Sequence, residues 1–477
     1  MWGTPSVFLE GQLEGLRSQF VELSRGIPLH DYRAELGDLV GPFDNYWAPV
    51  HRWYPYKEAF SHNFPEWIRE KLGVKAQGTA IDVFAGVATT SLALRRAGFD
   101  SVVGVEYSPF SHLVGEVKLS WPKLHPRRIE RAIESLLTYE VSDRWQAPTL
   151  SSFKNSSIFK RATLNSLLSA RAQIGKLDVW PSERDFLLVG LAAIVEDVSG
   201  AMKDGRALRI LNGRSRTSRM LVAHDAPAPS GDPVRDALAI QLTGMKEDLE
   251  DLADVRSLTR ATTAHHLRGD ARNLAEVRLS PRRPALGAGS AALSIFSPPY
   301  LNCIDYSEIY KLELWILELV QSGEQFRELR LGTLRSHPSV DFPDQGYLNG
   351  VDTPFATLVA ELSEFIERQH AQAAIGRMVR NYFDDMYRVL SQQAWVIEPG
   401  GWMVCVVGNS TFSRRIIESG ERKELWRIPV LTDVVLARMA KSLGFEEVQI
   451  WAARDLRARN VTNGRARESA IIARKPA

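Results

Sequence analysis

Cysteine is nearly absent: of 477 residues only Cys303 and Cys405 carry a thiol. They lie far apart in no metal-ligand spacing, so neither disulfides nor a metal site is expected, and cytoplasmic placement follows. Long apolar runs are missing as well; none approaches the ~18 residues that would suggest a membrane span. The opening residues, MWGTPSVFLEGQLEG, carry acids early and lack the basic-then-apolar order of a secretory signal. Nor is there an excess of one charge: the formal net value is +2. Any nucleic-acid surface must therefore be a local patch and not a global field. The full G-x-G-x-x-G dinucleotide fingerprint is also missing.

What is present points first to residues 293–300, LSIFSPPY, followed by LNCIDYSEIYKLELW. A short apolar run of strand type stops at Ser297, Pro298, Pro299 and Tyr300, and an amphipathic helical pattern then begins over 305–319, with Ile309, Leu312, Trp315, Ile316 and Leu319 on one face. Two consecutive prolines fix φ and lack N–H groups, so they cannot extend a sheet ladder. The result is a stiff corner presenting a hydroxyl, a carbonyl and an aromatic face together. That set suits a planar heterocycle with an exocyclic amino group, whose two hydrogens need two acceptors and whose ring needs a stacking partner.

The length predicts an elaborated domain or two to three domains. Residues 50–72 end in a helix with Phe64, Trp67, Ile68 and Leu72 at helical spacing. In TAIDVFAGVATTSLALRRAG, residues 80–84 read as a buried strand, Gly86 permits a tight turn, and Thr89–Ala97 reads as a helix stopped by Gly98. Ser101–Glu106 is a second strand ending in a carboxylate. This is the opening of a doubly wound α/β fold. Residues 109–265 then lose the strand–helix rhythm and read as a large, mainly helical insertion.

The rhythm resumes with a short strand ending in Gly269-Asp270-Ala271, and the corner follows. Residues 326–350 read as an irregular basic-then-polar loop, residues 400–409 as a buried strand, and LTDVVLARMAKSLGF, EEVQIWA and ESAIIARK as a helix and a reversed terminal strand pair.

Ser297-Pro298-Pro299-Tyr300 resembles the catalytic motif of the S-adenosylmethionine-dependent DNA amino-methyltransferases, in which Asp, Asn or Ser precedes Pro-Pro and an aromatic. The segment Asp82-x-Phe84-x-Gly86-x-Ala88-Thr89-Thr90 resembles that family's cofactor turn, with Ala88 where a glycine is usual and its methyl expected to narrow the approach to the cofactor. The resemblance spans about residues 50–475 and implies a Rossmann-like class I methyltransferase fold, with a mostly parallel seven-stranded sheet whose last strand runs antiparallel. It divides the chain into residues 1–108, the insertion 109–265 for DNA target recognition, and residues 266–477.

The resemblance also implies S-adenosylmethionine as cofactor, bound by Tyr56, Lys57, Phe60, Asp82, Phe84, Ala85, Gly86, Ala88, Thr89, Thr90, Glu106, Tyr107, Asp270 and Ala271. Glu106, ending the second strand, is expected on the ribose hydroxyls, and Asp270 on the adenine amino group. Asp270 also suits the start of a helix near Arg272.

The implied partner is double-stranded DNA, with a cognate restriction or defence protein alongside. Lys203, Arg206, Arg209, Arg214, Arg216 and Arg219, in a Gly/Ser/Thr-rich context, and Arg327, Arg330 and Arg335 are the expected DNA contacts; the alternative for such charge runs is a solvated face. The serine form of the motif favours cytosine N4 over adenine N6. An RNA guanine-N2 enzyme and an inactive DNA-binding module stay open. The absence of a Pro-Cys pair argues against cytosine-C5 chemistry.

Overall fold

The computed structural model describes residues 7–145, 158–204, 207–211, 223–225, 227–256, 261–301, 304–418, 421–457 and 465–477. The central sheet has eight strands: β1 (Leu29–Asp31), β2 (Thr79–Asp82), β3 (Ser101–Glu106), β4 (Thr263–Arg268), β5 (Ala291–Phe296), β6 (Ile397–Gly408), β7 (Glu446–Arg457) and β8 (Arg465–Arg474). Their order is β1-β7-β8-β6-β5-β2-β3-β4. All neighbouring pairs are parallel except those of β8, which runs antiparallel to both β6 and β7. This is the Rossmann-like methyltransferase order with its reversed terminal strand. The eighth strand, β1, forms the sheet edge beside β7, and the sequence pattern does not mark it: three exposed residues, LHD, carry no apolar alternation.

The strands read as near-continuous apolar runs because both faces are covered. Along β6, Met403, Cys405 and Val407 enter one core with the helices Val7–Ser24, Pro354–Gln369, Ala374–Val396 and Thr432–Ser442. Val404 and Val406, one step out of phase, enter the opposite core with Phe64, Ile68 and Leu94. A third core joins Trp53 and Phe110 to the helices Pro126–Leu137, Arg161–Lys176, Pro181–Val198 and Pro233–Asp251. These helices lie within residues 109–265, which also hold a small hairpin, Ala201–Lys203 with Leu208–Ile210.

Two expectations after the corner are corrected. The single helix over 305–319 is two short ones, Tyr306–Ile309 and Lys311–Ile316, broken at Tyr310, whose φ of −100° and ψ of 17° leave the helical region. Part of the expected loop is the helix Gly323–Gly332, started by Ser322, whose hydroxyl caps the N–H of Gln325 at 3.1 Å. Among the described residues no helix is long and apolar enough to cross a membrane.

Candidate active site

In an open α/β sheet the crevice lies beyond the carboxyl ends of the strands, where the strand order reverses. Here β2 feeds β3 on one side and lies beside β5 on the other. The segments following Asp82 and Phe296 therefore face a common crevice. It holds a cavity of about 320 Å³ lined by every expected catalytic and cofactor residue except Ala88.

The turn after β2 is built by two carboxylates. Asp82 accepts the N–H of Phe84 at 2.9 Å and the hydroxyl of Thr90 at 2.5 Å, tying the strand end to the helix Thr89–Ala97. Glu106 accepts the N–H of Gly86 at 2.8 Å and that of Ser108 at 2.6 Å. Burial raises both carboxyls to about 7, against the lowering effect of these donors. Gly86 has φ +51°, and a Cβ there would touch the Tyr56 ring at 3.6 Å.

Ala88 is corrected. Its φ of +68° is left-handed and its methyl is fully buried in the third core. Glycine suits that position for its backbone, and the alanine methyl points into packing and does not line the cavity.

Tyr56 stacks on Tyr310 with centroids 5.0 Å apart. Lys57 donates to the Lys203 carbonyl and pairs with Glu196 at 3.6 Å, while Phe60 packs on Phe64. At the far end, Asp270 accepts the N–H of Arg272 at 2.9 Å and receives its guanidinium at 2.8 Å, closing a tight turn instead of starting an α-helix. Arg272 also reaches Asp385 at 3.1 Å and the Gly332 carbonyl at 2.7 Å. Gly332 leaves no room for a Cβ against the Tyr107 hydroxyl.

At the corner, the Ser297 hydroxyl donates to the Val406 carbonyl of the adjoining strand β6 at 3.1 Å. The Tyr300 hydroxyl lies farther off, at 3.4 Å; with its proton on the nearer carbonyl, the Ser297 oxygen keeps lone pairs to accept with. The Tyr300 hydroxyl donates to Glu468 at 2.6 Å, and burial followed by this carboxylate pushes the phenol well above its ordinary value.

The chain resembles Type II methyltransferases. M.BsoBI of Geobacillus stearothermophilus is 23% identical over 442 residues, spanning 84% of this chain and 80% of that protein. M.AvaI of a Nostoc species and M.AvaI of Anabaena variabilis are each 22% identical over 427 residues, with the same coverage. No family model matches the chain.

The expected DNA contacts divide. Lys203 and Arg335 are enclosed by carboxylates. Lys203 is buried, with its ammonium on the Tyr54 hydroxyl at 3.0 Å and on the carboxylate of Glu313. Arg335, also buried, is held by Asp384 at 2.5 Å and Asp385 at 2.8 Å. Arg330 is half-buried on Asp305 at 2.7 Å. Arg209 and Arg327 are exposed, the former beside Asp204. Arg206, Arg214, Arg216 and Arg219 lie outside the described residues, as does Cys303.

Sequence reasoning missed Glu468, Arg454, Arg272 and His337, all of which line the cavity. Only Arg272 left a local signal, an arginine two places after an aspartate.

Proposed function

We propose that this chain is an S-adenosylmethionine-dependent DNA methyltransferase acting on the exocyclic amino group of an everted base, with cytosine N4 favoured through Ser297. One observation carries the reading: Ser297 and Tyr300 line the same cavity as Gly86, Glu106 and Asp270. The Type II methyltransferases to which the chain is similar support it. A restriction-modification setting, with a cognate restriction or defence protein as partner, is part of this proposal.

The residues present fit the cofactor. A turn without a Cβ at Gly86 lets backbone approach the ligand, and Glu106 keeps acceptor sites beyond its two amide donors for ribose hydroxyls. Asp270 would take the adenine amino group by exchanging part of its contact with Arg272, and Tyr56 would cover the methionine end. Bound there, S-adenosylmethionine supplies an electrophilic sulfonium methyl.

An exocyclic amine is a poor nucleophile because its lone pair is delocalised into the ring. Ser297 Oγ, its own proton directed to Val406, and the Pro298 carbonyl accept the two amino hydrogens and favour a tetrahedral nitrogen. Tyr300 supplies the stacking face. Positioning and preorganised acceptors account for most of the acceleration. Everting the base costs about a few kcal/mol, offset by stacking and by DNA contacts for which the 109–265 insertion, Arg209 and Arg327 are the candidates.

Mass spectrometry of digested DNA from an expressing host tests the reading. N4-methylcytosine is expected. N6-methyladenine moves the target atom within the same chemistry. Absence of any methylated base in DNA, with methylated RNA present, overturns the proposal.

A further inference from the structure

We propose that Glu468 is a positioning residue that acts through Tyr300, fixing the plane on which the target base stacks. This rests on the reading above, in which Tyr300 is the stacking surface.

The Tyr300 ring lies in a slot over the backbone of Gly408. A Cβ at Gly408 would stand 2.8 Å from the ring's Cδ2 and 3.0 Å from its Cε2, so the slot exists only because that residue is glycine. Gly408 and Glu468 are direct register partners across β6 and β8. The carboxylate therefore stands at the end of the slot, where one oxygen accepts the Tyr300 phenol at 2.6 Å.

The other oxygen is occupied too. It pairs with Arg454 Nε from β7, and the Glu468 side chain is only 3% exposed. Arg454 Nη2 in turn donates to the Val40 carbonyl at 3.3 Å. A carboxylate so enclosed has two fixed donors and no freedom to leave the phenol. Within the Ser-Pro-Pro-Tyr corner the phenol has only the Ser297 hydroxyl at 3.4 Å, a longer and uncharged contact. The acceptor comes from the reversed terminal strand, 168 residues later. Glu468 thus makes Tyr300 a ring held at its outer end as well as at its Cα, with its face preset toward the crevice. Preorganising a stacking partner spares the complex the cost of ordering it when the base arrives.

The test is a double-mutant cycle on the full chain with Tyr300→Phe, Glu468→Gln and the pair. The single-turnover rate of methyl transfer to DNA is measured with radiolabelled S-adenosylmethionine, and the cofactor dissociation constant alongside it. Each single substitution is expected to slow transfer about 10-fold, the scale of a hydrogen bond to a charged group, with cofactor affinity unchanged. The double variant is expected to be no slower than the slower single one, because both remove the same tether. A double variant slowed by the product of the two effects, or a Glu468→Gln protein as fast as the wild type, overturns the proposal. Should Glu468→Gln fail to fold, Glu468→Asp keeps the charge, withdraws it by one methylene, and is read in the same cycle. A wild-type protein that transfers no methyl to DNA refutes the parent reading instead, and is distinguishable from an active enzyme with additive substitutions.

Discussion

Gly86 and Glu106 face each other across the mouth of the crevice, the glycine N–H 2.8 Å from the glutamate Oε2. One carboxylate thus clasps the turn that follows β2 while ending β3. Its protonation links the turn to pH. Burial raises Glu106 from 4.5 to about 7, so its contribution to stability is present below 4.5 and is lost as pH rises through about 7. The ionised form is the stronger acceptor for ribose hydroxyls. The thermal shift produced by S-adenosylmethionine should therefore grow between pH 6 and pH 8 in the wild type and grow less in Glu106→Gln, where Asp82, also raised to about 7, still titrates. An equal shift at both pH values in the wild type would sink this role for Glu106.

Tyr300→Ala should separate binding from turnover. Base–aromatic stacking is worth about 1–3 kcal/mol, which predicts a loss of roughly 5- to 150-fold in methyl transfer per bound complex. Calorimetry should find cofactor affinity retained. Lost affinity with intact turnover would assign Tyr300 to the cofactor instead.

Ala88→Gly tests the meaning of the left-handed turn. Relief of an unfavourable φ and loss of a buried methyl oppose each other, so stability should change by less than about 1 kcal/mol. Because the methyl does not face the cavity, affinity for S-adenosylmethionine should not improve. A several-fold tighter complex in titration would restore the view that this methyl crowds the cofactor.

Lys203 is buried on Glu313, and its substitution is expected to report on stability. Lys203→Met leaves the buried Glu313 carboxylate unpaired and should cost about 3–5 kcal/mol in denaturant unfolding, whereas Lys203→Met with Glu313→Leu should recover most of it. The salt dependence of DNA binding should match the wild type in the folded double variant. A slope reduced by about one phosphate contact would return Lys203 to the DNA surface.

The residues alone made much of the crevice legible, because its parts are local in the chain. Periodicity marked the helix Thr89–Ala97, two prolines marked the corner, and Gly86 marked the bend. Charge was read less well. Lys203 and Arg335 sit in basic, polar stretches that look like solvated or DNA-facing surface, yet both are buried by acids distant in sequence, Glu313 and the pair Asp384 and Asp385. The broken helix at Tyr310 has the same origin: apolar spacing over 305–319 was sound, but the phenol is held by Glu58 and the ring stacks on Tyr56.

What this sequence determined by itself was the strand ends, bend and corner around the crevice, where φ preference and side-chain spacing act over a few residues. What only the tertiary structure decided was which of those pieces meet and which charges are neutralised. The Tyr300–Glu468 tether closes a separation of 168 residues, and the Lys203–Glu313 pair one of 110. No local pattern encodes such contacts. They exist because sheet order brings β8 beside β6 and because the packed insertion seals a charge from water, both of which are properties of the assembled fold.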